Sequence, residues 1–228
     1  MELSISIVKL VSHRMGDEAE LTVRIAPEGA EDQRADVRRI FVASKMLFEI
    51  GNIGGGRLPY ALTKEQFDTL EYDASLWEAV KKGIDILSYG DNTKSALITK
   101  LRQRGFDRYL SEDAADYIAG LGYIDESRML SRAVEQLANT KLYGPSRIKN
   151  ELRKKGISQE ILRDELDALL EEIDFEANLL RLAAKKCDMT RLADPKYRES
   201  VYAAFHRLGY SPSDTRAAIK TLQENEHE

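Results

Sequence analysis

The chain has 228 residues, of which 43% are hydrophobic and 32% are charged, and its formal net charge is −5. This composition supports a folded core, but it excludes a uniformly basic protein that attracts nucleic acid to its whole surface. The single cysteine, Cys187, excludes an intramolecular disulfide, and the three scattered histidines argue against a zinc site. No apolar run reaches about 18 residues and no signal-peptide pattern is present, so we expect a cytoplasmic protein without a membrane span.

The first third of the chain has the alternating pattern of β-strands. Hydrophobic and polar residues alternate over residues 3–7 and 21–25, and residues 40–42 are β-branched or aromatic. Thr63 is a suitable N-cap for a helix, because a glutamine follows at the capping-box position. We therefore predict a small, β-rich α+β module over residues 1–74.

From residue 75 onward the pattern is helical and contains an internal repeat. The segment Leu101-Arg-Gln-Arg-Gly-Phe106 is echoed by Leu152-Arg-Lys-Lys-Gly-Ile157 and, more faintly, by Phe205-His-Arg-Leu-Gly-Tyr210. The copies lie about 50 residues apart, a spacing typical of helical repeat proteins. The pattern predicts a mainly α fold in which the N-terminal module precedes three tandem three-helix repeats, at residues 75–124, 125–173 and 174–228.

The second repeat indicates where its helices begin and end. Its first helix covers residues 126–140, the second opens near Pro145, and Gly156 ends the second helix in a left-handed conformation. Ser158 then caps the third helix. The anchor positions of the repeats are predicted to be buried: Leu101, Ile148 and Leu152.

The aromatic residues of the helical region have two interpretations. Trp77 is expected to be a packing anchor immediately before a helix over residues 78–87. Five tyrosines are interpreted mainly as covers for helix junctions, with stacking on nucleic-acid bases as the alternative. They are Tyr109, Tyr117, Tyr123, Tyr143 and Tyr210.

The sequence contains no recognisable catalytic constellation. Gly-x-Ser-x-Gly, His-Glu-x-x-His and phosphate-binding loop motifs are all missing from it. Residues 159–178 hold eight acids against one arginine, a pattern typical of the solvated face of a helix. We therefore expect a protein that is not an enzyme and that has no catalytic residue, metal or cofactor.

Two basic clusters occur in this acidic chain. Residues 94–108 carry a net charge of +4 and residues 141–155 one of +5, each on the second helix of its repeat. The aligned columns of the third repeat hold His206 and Leu208, so we expect the basic face to be lost there. Phosphate contact is the functional interpretation, and solvated side chains with favourable charge near a helix C-terminus are the alternative. The predicted binding residues are Lys100, Arg102, Arg104, Arg147, Lys149, Arg153, Lys154 and Lys155.

Motifs in and around the second repeat resemble those of the RecX family. They are Leu121-Gly-Tyr-Ile-Asp125-Glu, Tyr143-Gly-Pro-Ser-Arg-Ile148 and Glu151-Leu-Arg-Lys-Lys-Gly-Ile157, and the resemblance covers residues 75–225. It implies a cytoplasmic, non-catalytic regulator of RecA in homologous recombination, DNA repair and SOS control. Such a regulator lies in the groove of the RecA–single-stranded-DNA filament and inhibits ATP hydrolysis and strand exchange, or promotes filament disassembly. The basic positions that match the family motif are Arg147, Arg153, Lys154 and Lys155.

One segment departs from the family pattern. After the Leu-Ser element that opens the first repeat, RecX proteins usually continue with arginines, whereas this chain has Tyr89-Gly-Asp-Asn92. The resemblance therefore gives no support to phosphate contact by that loop.

Two other functions stay open at the level of the sequence. A sequence-specific DNA-binding protein would use a helix-turn-helix-like trio, and the second helix of the second repeat offers Arg147, Lys149 and Asn150 as base-reading side chains. A protein-interaction scaffold would instead use the basic faces to bind an acidic protein surface. The partners expected from the RecX resemblance are the RecA nucleoprotein filament and, weakly, single-stranded DNA alone. We expect no membrane partner and a monomeric chain.

Overall fold

The computed structural model describes residues 3–12, 18–27, 35–49 and 57–225. The fold is mainly helical with a small antiparallel sheet near the N-terminus, which confirms the predicted fold class. The chain divides into two compact units, Met1–Gly90 with Leu97–Tyr123 and Asp91–Ala96 with Ile124–Glu228. Within the described ranges, none of the helices combines the length and the apolar content needed to cross a bilayer.

The first unit contains a four-stranded antiparallel sheet. Its strands are β1 (Leu3–Ser12), β2 (Glu18–Pro27), β3 (Asp36–Ala43) and β4 (Tyr60–Leu62), and the short helix α1 (Met46–Glu49) follows β3. The strand order is β3-β2-β1-β4, and a bulge shifts the β1–β2 register between Ile7 and Lys9. Because side chains alternate between the two faces of a strand, Ile7, Leu21 and Val23 are fully buried on one face of the sheet.

Helix α2 (Lys64–Ser88) is the long helix of the first unit, and its N-terminus has the predicted capping box. The Thr63 hydroxyl accepts a hydrogen bond from the Gln66 backbone N–H at 3.1 Å, and the Gln66 side chain accepts one from the Thr63 N–H at 3.0 Å. These two bonds satisfy backbone donors that the first helical turn leaves without a partner.

The helix continues through the position where the sequence predicted a new start. Trp77 lies in the middle of α2, so the prediction that it precedes a helix over residues 78–87 is wrong. Neither glycine nor proline occurs between residues 64 and 82, and the buried Phe67, Leu70 and Trp77 keep a helical spacing. The predicted division between residues 74 and 75 therefore falls within one continuous helix.

Helices α3 (Lys94–Gln103) and α4 (Arg108–Gly120) follow. Helix α2 packs closely on α4 at Gly83, where an added Cβ would lie 2.3 Å from Cδ1 of Ile118. The Trp77 ring meets the Tyr117 ring edge to face, with the ring centroids 6.3 Å apart. Helix α2 therefore packs on both the sheet and α4.

The second unit contains two three-helix groups. The first consists of α5 (Glu126–Glu135), which continues as a π-helical turn (Gln136–Thr140), α6 (Pro145–Lys154) and α7 (Gln159–Glu171). The second consists of α8 (Phe175–Lys186), α9 (Pro195–Arg207) and α10 (Pro212–Asn225). Each group has its own buried cluster, one around Ile148 and Leu152 and the other around Phe205.

The repeat pattern appears in the backbone as three matching turns. Gly105, Gly156 and Gly209 have φ angles of +97°, +75° and +94°, a left-handed conformation that favours glycine at the end of a helix. A side chain two residues later accepts a hydrogen bond from the backbone at the start of the next helix. The capping residues are Asp107, Ser158 and Ser211. The predicted left-handed end at Gly156 and the predicted cap at Ser158 are both confirmed.

The anchor positions of the repeats point into the cores. Leu101, Ile148 and Leu152 have no exposed surface, as predicted, and Phe205 is 1% exposed. Because the same columns are buried in all three copies, the repeat is a structural unit rather than a coincidence of sequence.

Glu126 is a buried acid that sequence analysis did not identify. Its Oε1 accepts a hydrogen bond from the Lys94 backbone N–H at 2.8 Å, and its Oε2 accepts one from the Ser158 N–H at 2.7 Å. Lys94 begins α3 and Ser158 caps α7, so one carboxylate serves the N-termini of two helices. The positive end of each helix dipole favours a negative charge at this position.

Candidate nucleic-acid interface

Helix α6 has one apolar face and one cationic face. Proline is tolerated at its first position because an N–H group there would have no partner within the helix. Ile148 and Leu152 are four residues apart and turn into the core. Arg153, Lys154 and Lys155 are exposed at the C-terminal end, where positive charge complements the helix dipole. These three cations are accessible to a partner.

Arg147, the fourth matching cation of the family motif, is held inside the second unit. Its Nη1 donates a hydrogen bond to the Arg207 carbonyl oxygen at 3.0 Å, and its Nη2 donates to the Tyr143 hydroxyl at 3.3 Å. The guanidinium carbon lies 4.1 Å from the centre of the Tyr143 ring, a cation–π arrangement. Arg147 therefore fixes α6 to the end of α9, and only part of its donor set faces outward.

The other cations of α6 have partners on the protein surface. Lys149 forms a 2.7 Å ion pair with Asp167 of α7, and Lys154 forms one of 3.3 Å with Glu151. The Arg153 guanidinium donates to the Asn150 side chain at 3.0 Å. Exposed ion pairs contribute about 0–1 kcal/mol, so a phosphate group can replace such partners at little cost.

A groove of about 350 Å³ separates α6 from the C-terminal end of α9. Arg147 and Lys154 line it on the α6 side, and His206 and Arg207 line it on the α9 side. The third repeat nevertheless contributes one arginine to this groove. The aligned columns do hold His206 and Leu208, but the intermediate column brings Arg207 close to the cations of the second repeat.

Two glycines hold the walls of this groove together. The Gly144 N–H donates to the Leu208 carbonyl oxygen at 2.7 Å, and the Ser146 N–H donates to the Gly209 carbonyl oxygen at 3.4 Å. A Cβ on Gly144 would lie only 2.5 Å from the Gly209 carbonyl carbon. Backbone thus meets backbone at this junction, which requires glycine on both sides.

The cluster of the first repeat lies in the first unit. Arg102 and Arg104 are exposed at the end of α3, while Lys100 is half-buried. Arg104 Nη1 donates to the Lys100 carbonyl oxygen at 3.4 Å. Phe106 lies next to these arginines and borders two shallow hollows of about 440 and 540 Å³. This arrangement offers positive charge and one aromatic ring on the same surface.

The five tyrosines divide into two groups. Tyr117 packs on Trp77, Tyr143 stacks under Arg147, and Tyr210 is buried, so these three cover helix junctions as interpreted. Tyr109 and Tyr123 are 73% and 58% exposed and do not fit that interpretation. Both belong to the first unit and are available for stacking.

The acidic run of residues 159–178 is mainly solvated, as predicted. Asp174 caps α8 by accepting from the Ala177 N–H at 2.8 Å, and most other acids of the run are exposed. The adjacent Arg163 donates a hydrogen bond to Asp164 and lowers the pKa of its carboxyl group. In the described part of the chain, no group of three or more His, Cys, Asp or Glu side chains is arranged to hold a metal ion.

Comparison with known proteins places these features in a family. The family model described as "RecX, second three-helix domain" matches residues 125–166. The protein named Regulatory protein RecX from Pseudomonas entomophila (strain L48) is 32% identical over 120 residues, which cover 52% of this chain and 74% of that relative. The chain belongs to the RecX family.

The predicted resemblance to RecX is thus confirmed, and other relatives extend the match. Regulatory protein RecX from Chlorobium phaeobacteroides (strain BS1) is 26% identical over 145 residues, which cover 64% of this chain and 93% of that relative. A solved structure described as "Crystal structure of regulatory protein RecX" has a TM-score of 0.71 at 20% identity and covers 95% of this chain and 99% of that chain. The likeness in fold to that structure therefore takes in the N-terminal sheet of this chain as well as its helical repeats.

Proposed function

We propose that this RecX family member regulates RecA by binding the RecA–single-stranded-DNA filament. There it inhibits ATP hydrolysis and strand exchange, or promotes disassembly of the filament. The observation that carries the proposal is the 32% identity to a RecX regulatory protein over 120 residues. The protein acts by binding and not by catalysis, and its clustered cations suit a polyanionic partner.

The contact in the second repeat is made by the exposed cations of α6. Arg153, Lys154 and Lys155 approach phosphate groups, while Arg147 positions the helix through its bonds to α9. Lys149 contributes less, because its side chain is 41% exposed, compared with 72% for Lys154. Of the predicted binding residues in this repeat, we therefore assign direct phosphate contact to Arg153, Lys154 and Lys155 at the C-terminal end of α6.

The charge distribution predicts weak binding to bare DNA. Residues 141–155 carry a net charge of +5, but residues 159–178 carry −7 and repel a phosphate backbone. Tight binding then needs protein contacts as well, which a nucleoprotein filament provides and bare DNA does not.

The test is a titration of the protein into RecA that hydrolyses ATP on single-stranded DNA. The wild-type protein should lower ATP hydrolysis or strand exchange at substoichiometric to equimolar ratios. The Arg153→Glu/Lys154→Glu variant should lose most of this effect. The matched control is Lys185→Glu/Lys186→Glu, an exposed pair in the last turn of α8. If wild-type protein leaves ATPase and strand exchange unchanged, and no RecA is retained in a pull-down, the proposal is wrong.

The alternative of sequence-specific DNA binding is disfavoured by the N-terminal turn of α6. A recognition helix reads bases with residues near its N-terminus. In this protein that turn is occupied by backbone hydrogen bonds from Gly144 and Ser146 to the end of α9, and Arg147 is bonded to the same segment. The surface that a recognition helix needs is therefore largely covered.

A further inference from the structure

The groove between α6 and the end of α9 gathers cations from two different repeats. The α6 wall contributes Arg147 and Lys154, separated by two helical turns, and the α9 wall contributes Arg207, with the imidazole of His206 beside it. Asn150 lies between these two cations of the α6 wall, Ser146 lies immediately before Arg147, and both are exposed. Hydrogen-bond donors thus follow one another along the groove instead of converging on one point.

Only one acid lies among these groups, and it is weakly held. Glu151 pairs with Lys154 at 3.3 Å, and the Lys154 side chain is 72% exposed in that pair. Among the residues that the structure describes, the side chains of His206 and Arg207 form no ion pair with an acid. The α9 wall therefore presents positive charge that the described protein does not neutralise.

The spacing of the cations decides which anion fits. Two helical turns separate Arg147 from Lys154, a distance of about 10 Å along α6. Two cations that far apart contact separate anionic groups, such as successive phosphates of one strand. A single carboxylate would favour the two-pronged contact of a free guanidinium, but Arg147 already donates to the Arg207 carbonyl oxygen and the Tyr143 hydroxyl. A chain of separated anionic oxygens matches the groove better.

We propose that this groove binds a short stretch of a single-stranded phosphodiester backbone, with Lys154 on one wall and Arg207 on the other. The inference rests on the proposed function and assigns the strand a specific path. The third repeat is then part of the nucleic-acid site. Backbone bonds across Gly144 and Gly209 keep the two walls at a fixed separation, so the groove is formed before the strand binds.

The test is binding of a fluorescent oligothymidylate of about eight nucleotides to the full-length protein, followed by anisotropy at several salt concentrations. Arg207→Glu and Lys154→Glu should each weaken binding about tenfold and make the salt dependence less steep by about one neutralised phosphate. Arg207→Lys should keep most of the affinity. Lys186→Glu, an exposed charge reversal in the last turn of α8, should change the affinity less than about twofold, in line with a surface residue outside the site.

Each outcome decides the assignment. An Arg207→Glu variant that binds as well as Lys186→Glu overturns it, provided that both melt like the wild type. An abasic oligomer of equal length should bind as tightly as oligothymidylate, because the contacts are to the backbone. If polyglutamate of equal charge displaces the oligomer equally well, the groove is a site for acidic polypeptide and the proposal is wrong.

The outcome for the groove is separate from the outcome for RecA. Oligomer binding that depends on Arg207, without any effect of the wild-type protein on RecA, would refute the proposed function and leave the groove assignment intact. Inhibition of RecA by the wild type, with oligomer binding indifferent to Arg207, would refute the groove alone.

Discussion

Replacing Glu126 by alanine should destabilise the second unit strongly, because one carboxylate serves the starts of two helices. The carboxylate is 8% exposed and accepts backbone hydrogen bonds from Lys94 and Ser158, at 2.8 and 2.7 Å. Alanine removes both acceptors and leaves two N–H groups at helix starts without a protein partner. Glutamine keeps one carbonyl oxygen, but its NH₂ group faces a donor where an acceptor is needed.

The magnitude follows from the type of bond. A hydrogen bond to a charged group contributes about 1.5–3 kcal/mol, and a part-buried site allows water to replace some of that. We expect Glu126→Ala to lower the free energy of unfolding by about 3 kcal/mol and Glu126→Gln by about 2 kcal/mol. For a protein of this length, 3 kcal/mol corresponds to a fall of about 6–12 °C in Tm.

The assay is differential scanning calorimetry, with Glu135→Ala as the matched control. Glu135 lies on the same helix and is exposed, so the substitution changes helix propensity equally without removing a buried acceptor. The control should melt within about 2 °C of the wild type, because exposed substitutions change stability by about 0.5 kcal/mol at most. Equal melting of the Glu126 and Glu135 variants would refute the assigned role of the carboxylate.

Three further predictions concern packing and ionisation. Leu152→Ala should cost about 2–5 kcal/mol because it opens a cavity in a fully buried site, and an unchanged denaturation midpoint would contradict the repeat register. Gly144→Ala should cost about 1–3 kcal/mol through its clash with backbone, whereas Gly120→Ala, where an added Cβ has no neighbour within 4 Å, should be tolerated in the same urea titration. The hydrogen bond that the Tyr72 hydroxyl donates to Asp113 raises the pKa of Tyr72 to about 12, and burial raises the pKa of Tyr210 to about 12. The unfolded chain loses these protons at lower pH than the folded chain does. The contribution of the two phenols to the free energy of unfolding should therefore be complete below about pH 10 and be lost between about pH 10 and 12. In a spectrophotometric titration, Tyr72→Phe and Tyr210→Phe should each show one late-ionising phenol fewer than the wild type.

The repeat could be predicted from sequence because its signals are local. A glycine that ends a helix and a hydroxyl or carboxylate that caps the next one act over a few residues, so Gly156 and Ser158 were assigned correctly. The continuity of α2 could not be recognised in the same way. The helical spacing and the lack of glycine or proline over residues 70–77 do not distinguish one long helix from two shorter ones. The helix persists because its buried face contacts both the sheet and α4.

The cations of the candidate site could be predicted from the sequence, but the partners that hold some of them could not. Exposed lysines and arginines can be counted in a sequence, but their partners depend on segments that are distant along the chain. Arg147 meets the Arg207 carbonyl across 60 residues, and Glu126 meets two helix starts 32 residues away on either side. Such contacts convert an apparent binding residue into a positioning residue, and an apparently ordinary acid into a structural one.

The long helix α2 has a mechanical consequence for the whole N-terminal unit. Trp77 donates a hydrogen bond to Glu18 of β2 at 2.8 Å, and Lys81 forms a 2.7 Å ion pair with the same carboxylate. The same stretch of helix also contacts α4 through the Trp77 and Tyr117 rings. Helix α2 therefore couples the sheet mechanically to α4, because the same continuous helix contacts both. The sheet and α4 should therefore unfold in one cooperative step. A chain shortened to begin at residue 75 would start in the middle of α2, the helix that couples them.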